Sequence, residues 1–438
     1  MAAAVLSTDF PFASSTRRLI ARSPRTTHRR VLGSALGLAG VASILACAGG
    51  SGEEPTASRD PWVYANSGRT LTVLSRAEGP EGAFPRIAEG PTVLATRGAE
   101  GLFALDLHSL ALDGDELAFT AHETAVEGEG WFVNWADTPA LASDGSSVTW
   151  LKKVAADTYD YHVAWARRGA EGTFEEQGSL HDDEGAGEHG FCSWLSLGDG
   201  RQLALWLDGR ATREGGPMQV RSRLVEADGT RGPETLVDPR SCDCCPTTLA
   251  LLDDGSVLAA WRDRGEDEVR DIALARWTEA EGWSTPFSVH EDGWRIPGCP
   301  VNGPVLAARG SRVALAWYTL GTDDAPRVWC ARSEDGGETF GEPLRVDGGA
   351  ALGQLDLAWS SDGKLLASWH EGDGATGTAS WRARVLYPAV GETLEVAPTT
   401  GGRGDGRARL LGLEDSWLLV WSTVESPRTL AAARLAER

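Results

Sequence analysis

Between Ser241 and Trp277 the chain reads SCDCCPTTLALLDDGSVLAAWRDRGEDEVRDIALARW. Cys242, Cys244 and Cys245 open this stretch, and Arg262, Asp263 and Arg264 follow its second apolar run. Cysteines so closely spaced can form disulfides, hold a soft metal ion, or bridge to an immediate neighbour. The arginines and carboxylates beside them suit proton transfer and the recognition of acidic groups. Asp253-Asp254-Gly255 lies between the two apolar runs, and an Asp-Gly pair in that position predicts a hairpin turn. A hairpin returns to where it began, so the cysteines and the arginines belong at one end of it.

The hairpin recurs along the chain. Ser143-Asp144-Gly145 precedes Trp150, Gly198-Asp199-Gly200 precedes Trp206, and Asp253-Asp254-Gly255 precedes Trp261. Arg309-Gly310-Ser311 leads to Trp317, Ser361-Asp362-Gly363 to Trp369, and Glu414-Asp415-Ser416 to Trp421. The tryptophans fall 56, 55, 56, 52 and 52 positions apart. A weaker first copy, Gly90 to Leu105, aligns with Gly303 to Trp317. Further strand-like sequence follows each hairpin, and four short strands per repeat of this length indicate an all-β propeller. Seven hairpins fit between Trp62 and Arg438, so seven blades of four antiparallel strands are expected, with six as the alternative. Thr70 to Arg76 is expected to supply the outer strand of the last blade, because an unclosed ring leaves sheet edges unpaired.

This repeat sorts the polar residues onto two faces. The Asp-Gly turns make one face repetitive. The other collects the starts of the inner strands and the ends of the second strands, and it differs from blade to blade, as a functional face does. There stand the acid/base candidates Asp137, Glu188, His189 and Asp243. The ligand-binding candidates are Asn134, Trp135, Arg262, Arg264, Arg295, Asn302 and Asp356. Lys152, Lys153, Asp208, Arg210, Gln354, His370, Glu371, Asp405 and Arg407 share that mouth. Arginine forks bind carboxylates and a tryptophan face stacks on a sugar, so the mouth suits a glycan or another small polar, acidic ligand. A binding module is the favoured reading and a glycoside hydrolase the alternative. Structural roles compete throughout: the blade-ending tryptophans as packing, Arg262 to Arg264 as bridges between blades, His189 as a satisfied core histidine, and Asp137 and Asp356 as caps.

Counting eleven residues back from the turn glycines aligns His189, Cys244 and Cys299 in successive blades. Cys242, Cys244, Cys245 and Cys299 are therefore expected to meet at the top rim, with at least one disulfide among them. A zinc or copper site with His189, or a Cys244–Cys245 bridge, is the alternative; no other cofactor is expected.

The formal net charge is -22, which argues against a general nucleic-acid binder. The first 46 residues contain six arginines and one acid, followed by an apolar run from Val31 to Ala46, the pattern of an export signal. Ile44-Leu45-Ala46-Cys47 resembles a bacterial lipobox, with Cys47 as the lipidated residue, and Arg29-Arg30 weakly resembles a twin-arginine signal. The expected organisation is a signal peptide over 1–46, a flexible tether over 47–61 and a propeller over 62–438. The protein would then be exported and held at the cell envelope by lipid alone. Nothing in the sequence indicates an oligomeric state.

Ser333-Glu334-Asp335-Gly336-Gly337-Glu338-Thr339-Phe340 resembles the Asp-box turn of BNR repeats in the sialidase superfamily. FVNWAD (132–137), EHGF (188–191), CDCCPT (242–247), RDRGEDEVRDI (262–272) and WRIPGCPVNGP (294–304) resemble a group of bacterial exported, sialidase-like lipoproteins. The resemblance implies a propeller. For a sialidase it would also imply three arginines for a substrate carboxylate, a Tyr-Glu nucleophile pair and an aspartate acid/base. Arg295-Ile296-Pro297 resembles that family's Arg-Ile-Pro element, and Arg86-Ile87 resembles it more faintly. None of the five tyrosines, Tyr64, Tyr159, Tyr161, Tyr318 and Tyr387, falls in a predicted inner strand, so no nucleophile is identifiable from sequence.

Overall fold

The Asp-Gly motifs fold as turns, and their side chains close them. Gly255 takes φ 82°, its N–H bonds to the Leu252 carbonyl at 3.0 Å, and Asp254 Oδ1 accepts the Ser256 N–H at 2.9 Å. A β-carbon is strained at that φ, which is why the turn needs glycine. In the Ser333–Phe340 turn, Asp335 accepts from Ser333 Oγ and from both the N–H and the hydroxyl of Thr339, while Ser333 Oγ accepts from Gly337 N–H.

These turns build seven antiparallel sheets in a computed structural model that describes residues 69–99, 101–374 and 376–438. The expected signal peptide, tether and Cys47 lie outside the described residues, as does Tyr64. From blade 1 to blade 7 the inner strands are Ala83–Ala88, a segment joined to Ser147–Lys153 by isolated bridges at Trp131 and Leu141, His189–Ser196, Thr248–Leu251, Val305–Arg309, Ala351–Trp359 and Arg409–Gly412. The ring closes as expected. Leu71–Glu81 pairs antiparallel with Thr429–Glu437 and becomes the outer strand of blade 7, whose remaining strands come from the far end of the chain.

One expectation is off by a strand. Gly90 to Leu105 is not the inner hairpin of blade 1, because Thr92–Ala99 is its second strand and Leu102–Asp113 its third. The inner strand is AFPRIA, which lacks the usual Asp-Gly exit and so escapes the repeat pattern. This shift places Arg86 on the channel.

The core lies between blades rather than within them. Leu205 and Val220 of blade 3 pack with Ala259 and Trp261 of blade 4, and Val328 of blade 5 packs with Leu357 and Trp369 of blade 6. Trp150, Trp206, Trp261, Trp317, Trp369 and Trp421 are all buried. Several have the indole N–H satisfied by an acid: Trp206 by Asp208, Trp261 by Asp238, Trp317 by Asp292 and Trp369 by Glu371. A buried tryptophan usually finds such a partner for its N–H, although Trp150 has none here.

Three inner strands begin with a bulge. Phe84, Phe191 and Gln354 have φ of 55°, 52° and 50°, and the ladder register slips beside each. The extra residue re-aims the side chains that follow. Each left-handed residue donates its N–H to a side chain of the preceding blade: Phe84 to Ser422 Oγ at 3.0 Å, Phe191 to Asp137 Oδ2 at 2.8 Å, and Gln354 to Asn302 Oδ1 at 2.9 Å. The bulges thus tie neighbouring blades together around the mouth of the channel.

Candidate functional site

A cavity of about 170 Å³ occupies the channel, and Arg86, Arg407, Arg409, Asp356, Cys192 and Trp194 are among its lining. The bulge at Phe84 turns Arg86 inward, where Nε donates to the Pro139 carbonyl at 2.9 Å and Nη2 to Thr138 Oγ1 at 3.0 Å. Arg407 Nε reaches Gln354 Oε1 at 3.4 Å. Asp356 accepts the N–H groups of Leu357 and Leu410 at 3.0 Å, and its Oδ2 is 4.0 Å from Arg409 Nη1. Burial, then the charges of Arg409 and Arg407, lower the pKa of Arg86 well below its ordinary value. Burial and Arg409 bring Arg407 down to about 9. Among the described residues lining this cavity, Asp356 is the one carboxylate set against the three guanidinium groups.

Asp137 and Glu188 stand beside this cluster. Asn134 Oδ1 accepts the N–H groups of Ala136 and Asp137 at 2.8 Å, which fixes the loop that presents Asp137. A β-carbon at Gly190 would sit 1.9 Å from Asp137 Oδ2 and 3.1 Å from Tyr161 Cε2, so the close approach of carboxyl and ring requires glycine there. Tyr161, the first residue of the third strand of blade 2, donates its hydroxyl to Glu188 Oε1 at 2.7 Å and stacks on Phe132. Burial, reinforced by the charge of Glu188, pushes Asp137 up to about 8. Burial pushes Glu188 up to about 7, against the Tyr161 hydrogen bond that lowers it. Two carboxyl groups that titrate about neutrality can share proton donation and acceptance. Tyr161 is only 1% exposed, so it orients Glu188 rather than meeting a ligand itself.

The cysteines gather in blades 4 and 5. Cys242 Sγ is 3.6 Å from Cys245 Sγ and 4.0 Å from Cys244 Sγ, and all six described cysteines are unbonded. Arg270 Nη1 donates to Cys242 Sγ at 3.0 Å. Hydrogen bonds from its two neighbouring thiols, then the charges of Arg270 and Arg262, hold the Cys242 pKa well below the ordinary thiol value. Cys299 is exposed.

Other predicted residues occupy the same face in supporting roles. Arg262 is 1% exposed and donates to the carbonyls of Asn302, Arg270 and Tyr318 while lying over the Trp294 ring. Asn302 holds the Gln354 bulge. Both join blades and point no free group into the channel. Arg264 pairs with Asp243 at 3.0 Å and with Glu268 at 2.9 Å at the rim, and burial raises Asp263 to about 6. Trp135 is half-buried, with Arg403 over its ring at 5.6 Å. Arg295 leaves the site: its side chain is 61% exposed and pairs with Asp267. The fainter match, Arg86-Ile87, is the one on the channel. His189 joins His162 and His181 rather than the sulfurs. Sequence reading missed Arg409, Tyr161 and this histidine group.

No protein-family profile matches the chain, and no curated protein does. Among solved structures it is similar to a Dyadobacter fermentans protein of unknown function, at 14% identity and TM-score 0.45, covering 84% of this chain and 98% of that one. It is also similar to a Hadza microbial sialidase, at 14% identity and TM-score 0.45, over 77% of this chain and 74% of the other. An α-L-arabinofuranosidase of Fusarium graminearum in complex with arabinobiose matches at 11% identity and TM-score 0.42, over 85% and 94% of the two chains.

Proposed function

We propose that this propeller binds the carboxylate of an acidic sugar in its channel. One observation carries the reading: Arg86, Arg407 and Arg409 share a cavity with Asp356 as the one described carboxylate there. Three guanidinium groups so close repel one another, and an anionic ligand relieves that repulsion through fork-shaped hydrogen bonds. The test is a panel of acidic and neutral monosaccharides titrated into the protein. Binding confined to the carboxylate-bearing members supports the reading, and binding of neutral sugars alone sinks it.

Hydrolysis of the same ligand is a second reading, favoured by the Tyr161–Glu188 bond and by the position of Asp137 beside Gly190. Asp137 would donate the proton and Glu188 would act as base or nucleophile. His189 and Asp243, the other acid/base candidates, stand respectively in a histidine cluster and in an ion pair with Arg264. Chromogenic sialosides and glucuronides separate binding from turnover.

The cysteine group at the rim supports a zinc or copper ion when reduced and a disulfide when oxidised. Thiol alkylation followed by native mass spectrometry distinguishes these states. The basic leader and the Ile44–Cys47 motif support export and lipid anchoring, and Cys47→Ser should release the protein from the membrane fraction.

A further inference from the structure

His162, His181 and His189 form a second chemical centre at the seam of blades 2 and 3. One ligand atom from each lies within 4.8 Å of the other two, and all three side chains are buried. They come from unrelated places. His162 is the second residue of the strand Tyr161–Arg168, His181 lies in the loop after Phe174–Ser179, and His189 begins the strand His189–Ser196. The rings of His181 and His189 stack at 3.9 Å, with His162 edge-on to both at 4.4 Å and 5.1 Å.

The hydrogen bonding of this group is incomplete. Both ring nitrogens of His181 are buried with no hydrogen-bond partner, and the residue is 2% exposed. His189 Nε2 lies 3.0 Å from Asp183 Oδ2 and 3.6 Å from Asp208 Oδ1, yet makes a hydrogen bond to neither. His162 Nε2 is paired with the Gly185 carbonyl at 3.0 Å and His189 Nδ1 with the Gly187 carbonyl at 3.4 Å. Buried polar atoms are nearly always paired, so the remaining ring nitrogens, both of His181 and Nε2 of His189, need an explanation. A shared cation supplies it.

We propose that His162, His181 and His189, with Asp183 as the fourth donor, bind a first-row divalent transition metal, zinc above all. Three imidazoles and one carboxylate are ligands of that class, whereas calcium and magnesium require oxygen. An imidazole holds such an ion through the lone pair of its neutral ring, and the unpaired nitrogens of His181 and His189 are the atoms that can offer one. Tetrahedral bonds of ~2.0–2.1 Å would draw the ligand atoms closer than 4.8 Å and tilt the stacked rings apart, a movement within reach of side-chain rotation. Asp208 stands behind the group, held by Trp206 and by both arms of Arg210. Asp183 is likewise fixed by Arg213 at 2.7 Å, so the carboxylates are placed before any ion arrives.

The position of this centre has a consequence for the channel. His162 follows Tyr161 in the chain, and His189 follows Glu188. Tyr161 and Glu188 are themselves joined by a parallel bridge and by the 2.7 Å hydrogen bond. A metal held by the two histidines would clamp the strands that present this pair. That consequence rests on the reading of Glu188 given above; the metal site does not.

The test is metal analysis of the full chain after exposure to zinc and removal of loose ions, together with cobalt substitution. A Cys244→Ser, Cys245→Ser double variant, which removes sulfur ligands at the rim, should keep one equivalent of metal with a tetrahedral cobalt spectrum lacking thiolate charge-transfer bands. In that background His181→Gln should weaken metal binding at least tenfold. Thermal unfolding of the wild type should fall by several degrees on chelation, a readout that needs no variant to fold. Metal-free protein with the same midpoint in zinc and in chelator would overturn the proposal. So would a cysteine double variant that holds no metal, or one whose metal content His181→Gln leaves unchanged. Loss of metal without loss of carboxylate-sugar binding would separate this centre from the channel.

Discussion

Asp137 and Asn302 hold corresponding stations. Each accepts the N–H of a left-handed residue in the next blade, Phe191 in one case and Gln354 in the other. An amide therefore does the structural work of the carboxyl, and Asp137→Asn isolates its acid chemistry. If the chain hydrolyses its ligand, this variant should fold normally, bind as before and lose roughly 10²–10⁴-fold in rate, the scale of general acid catalysis. Steady-state kinetics beside a melting curve checks it. The pH dependence has a definite sign. Glu188 must be ionised, which needs pH above about 7, and Asp137 protonated, which needs pH below about 8. Activity should rise on one limb, fall on the other and peak between those values; a flat profile from pH 5 to 9 would remove these groups from the reaction. The aspartate was legible in the sequence because it stands at a strand start. Tyr161 was not, because it reaches the mouth from a third strand and no period marks it. Arg295 misled for the opposite reason, since a three-residue motif carries no information about which way its side chain faces.

At the scale of the strand, the repeat was legible wherever a turn glycine and a tryptophan kept their spacing. It failed in blade 1, where AFPRIA exits through Glu89-Gly90 rather than Asp-Gly and no tryptophan follows in the second strand, and it failed to foresee the bulges. A left-handed Phe84, Phe191 or Gln354 breaks the period-two pattern by one residue. Those breaks set which side chains face the channel, so the fold could be read more completely than the site. The closing strand makes a testable element. Ala77 pairs with Ala432 midway along the seam between the two ends of the chain. Ala77→Pro removes a ladder donor there and should destabilise the ring by about 1–3 kcal/mol, the cost of a buried unmade hydrogen bond. Trp206→Ala tests packing between blades and should cost about 3–5 kcal/mol. Denaturant midpoints measure both; an unchanged midpoint for Ala77→Pro would contradict closure of the ring by that strand, and one for Trp206→Ala would contradict the inter-blade account of stability.

For the molecule as a whole, the contrast is between an acidic exterior and a cationic interior. A chain of net charge -22 surrounds a cavity walled by three arginines. Contacts between buried charges are screened little by salt, while surface contacts are screened within about 10 Å at 0.1 M. The affinity for an acidic sugar should therefore change less than about threefold between low and physiological ionic strength, where a surface site would lose far more. The measurement that bears most directly on the central claim is calorimetric titration of N-acetylneuraminic acid and glucuronic acid, each against its methyl ester. Wild-type protein should bind at least one acid and bind its ester at least tenfold more weakly, and Arg407→Ala should lose a similar factor, as expected for hydrogen bonds to a charged group. Equal binding of acid and ester, or no effect of Arg407→Ala, would contradict the account.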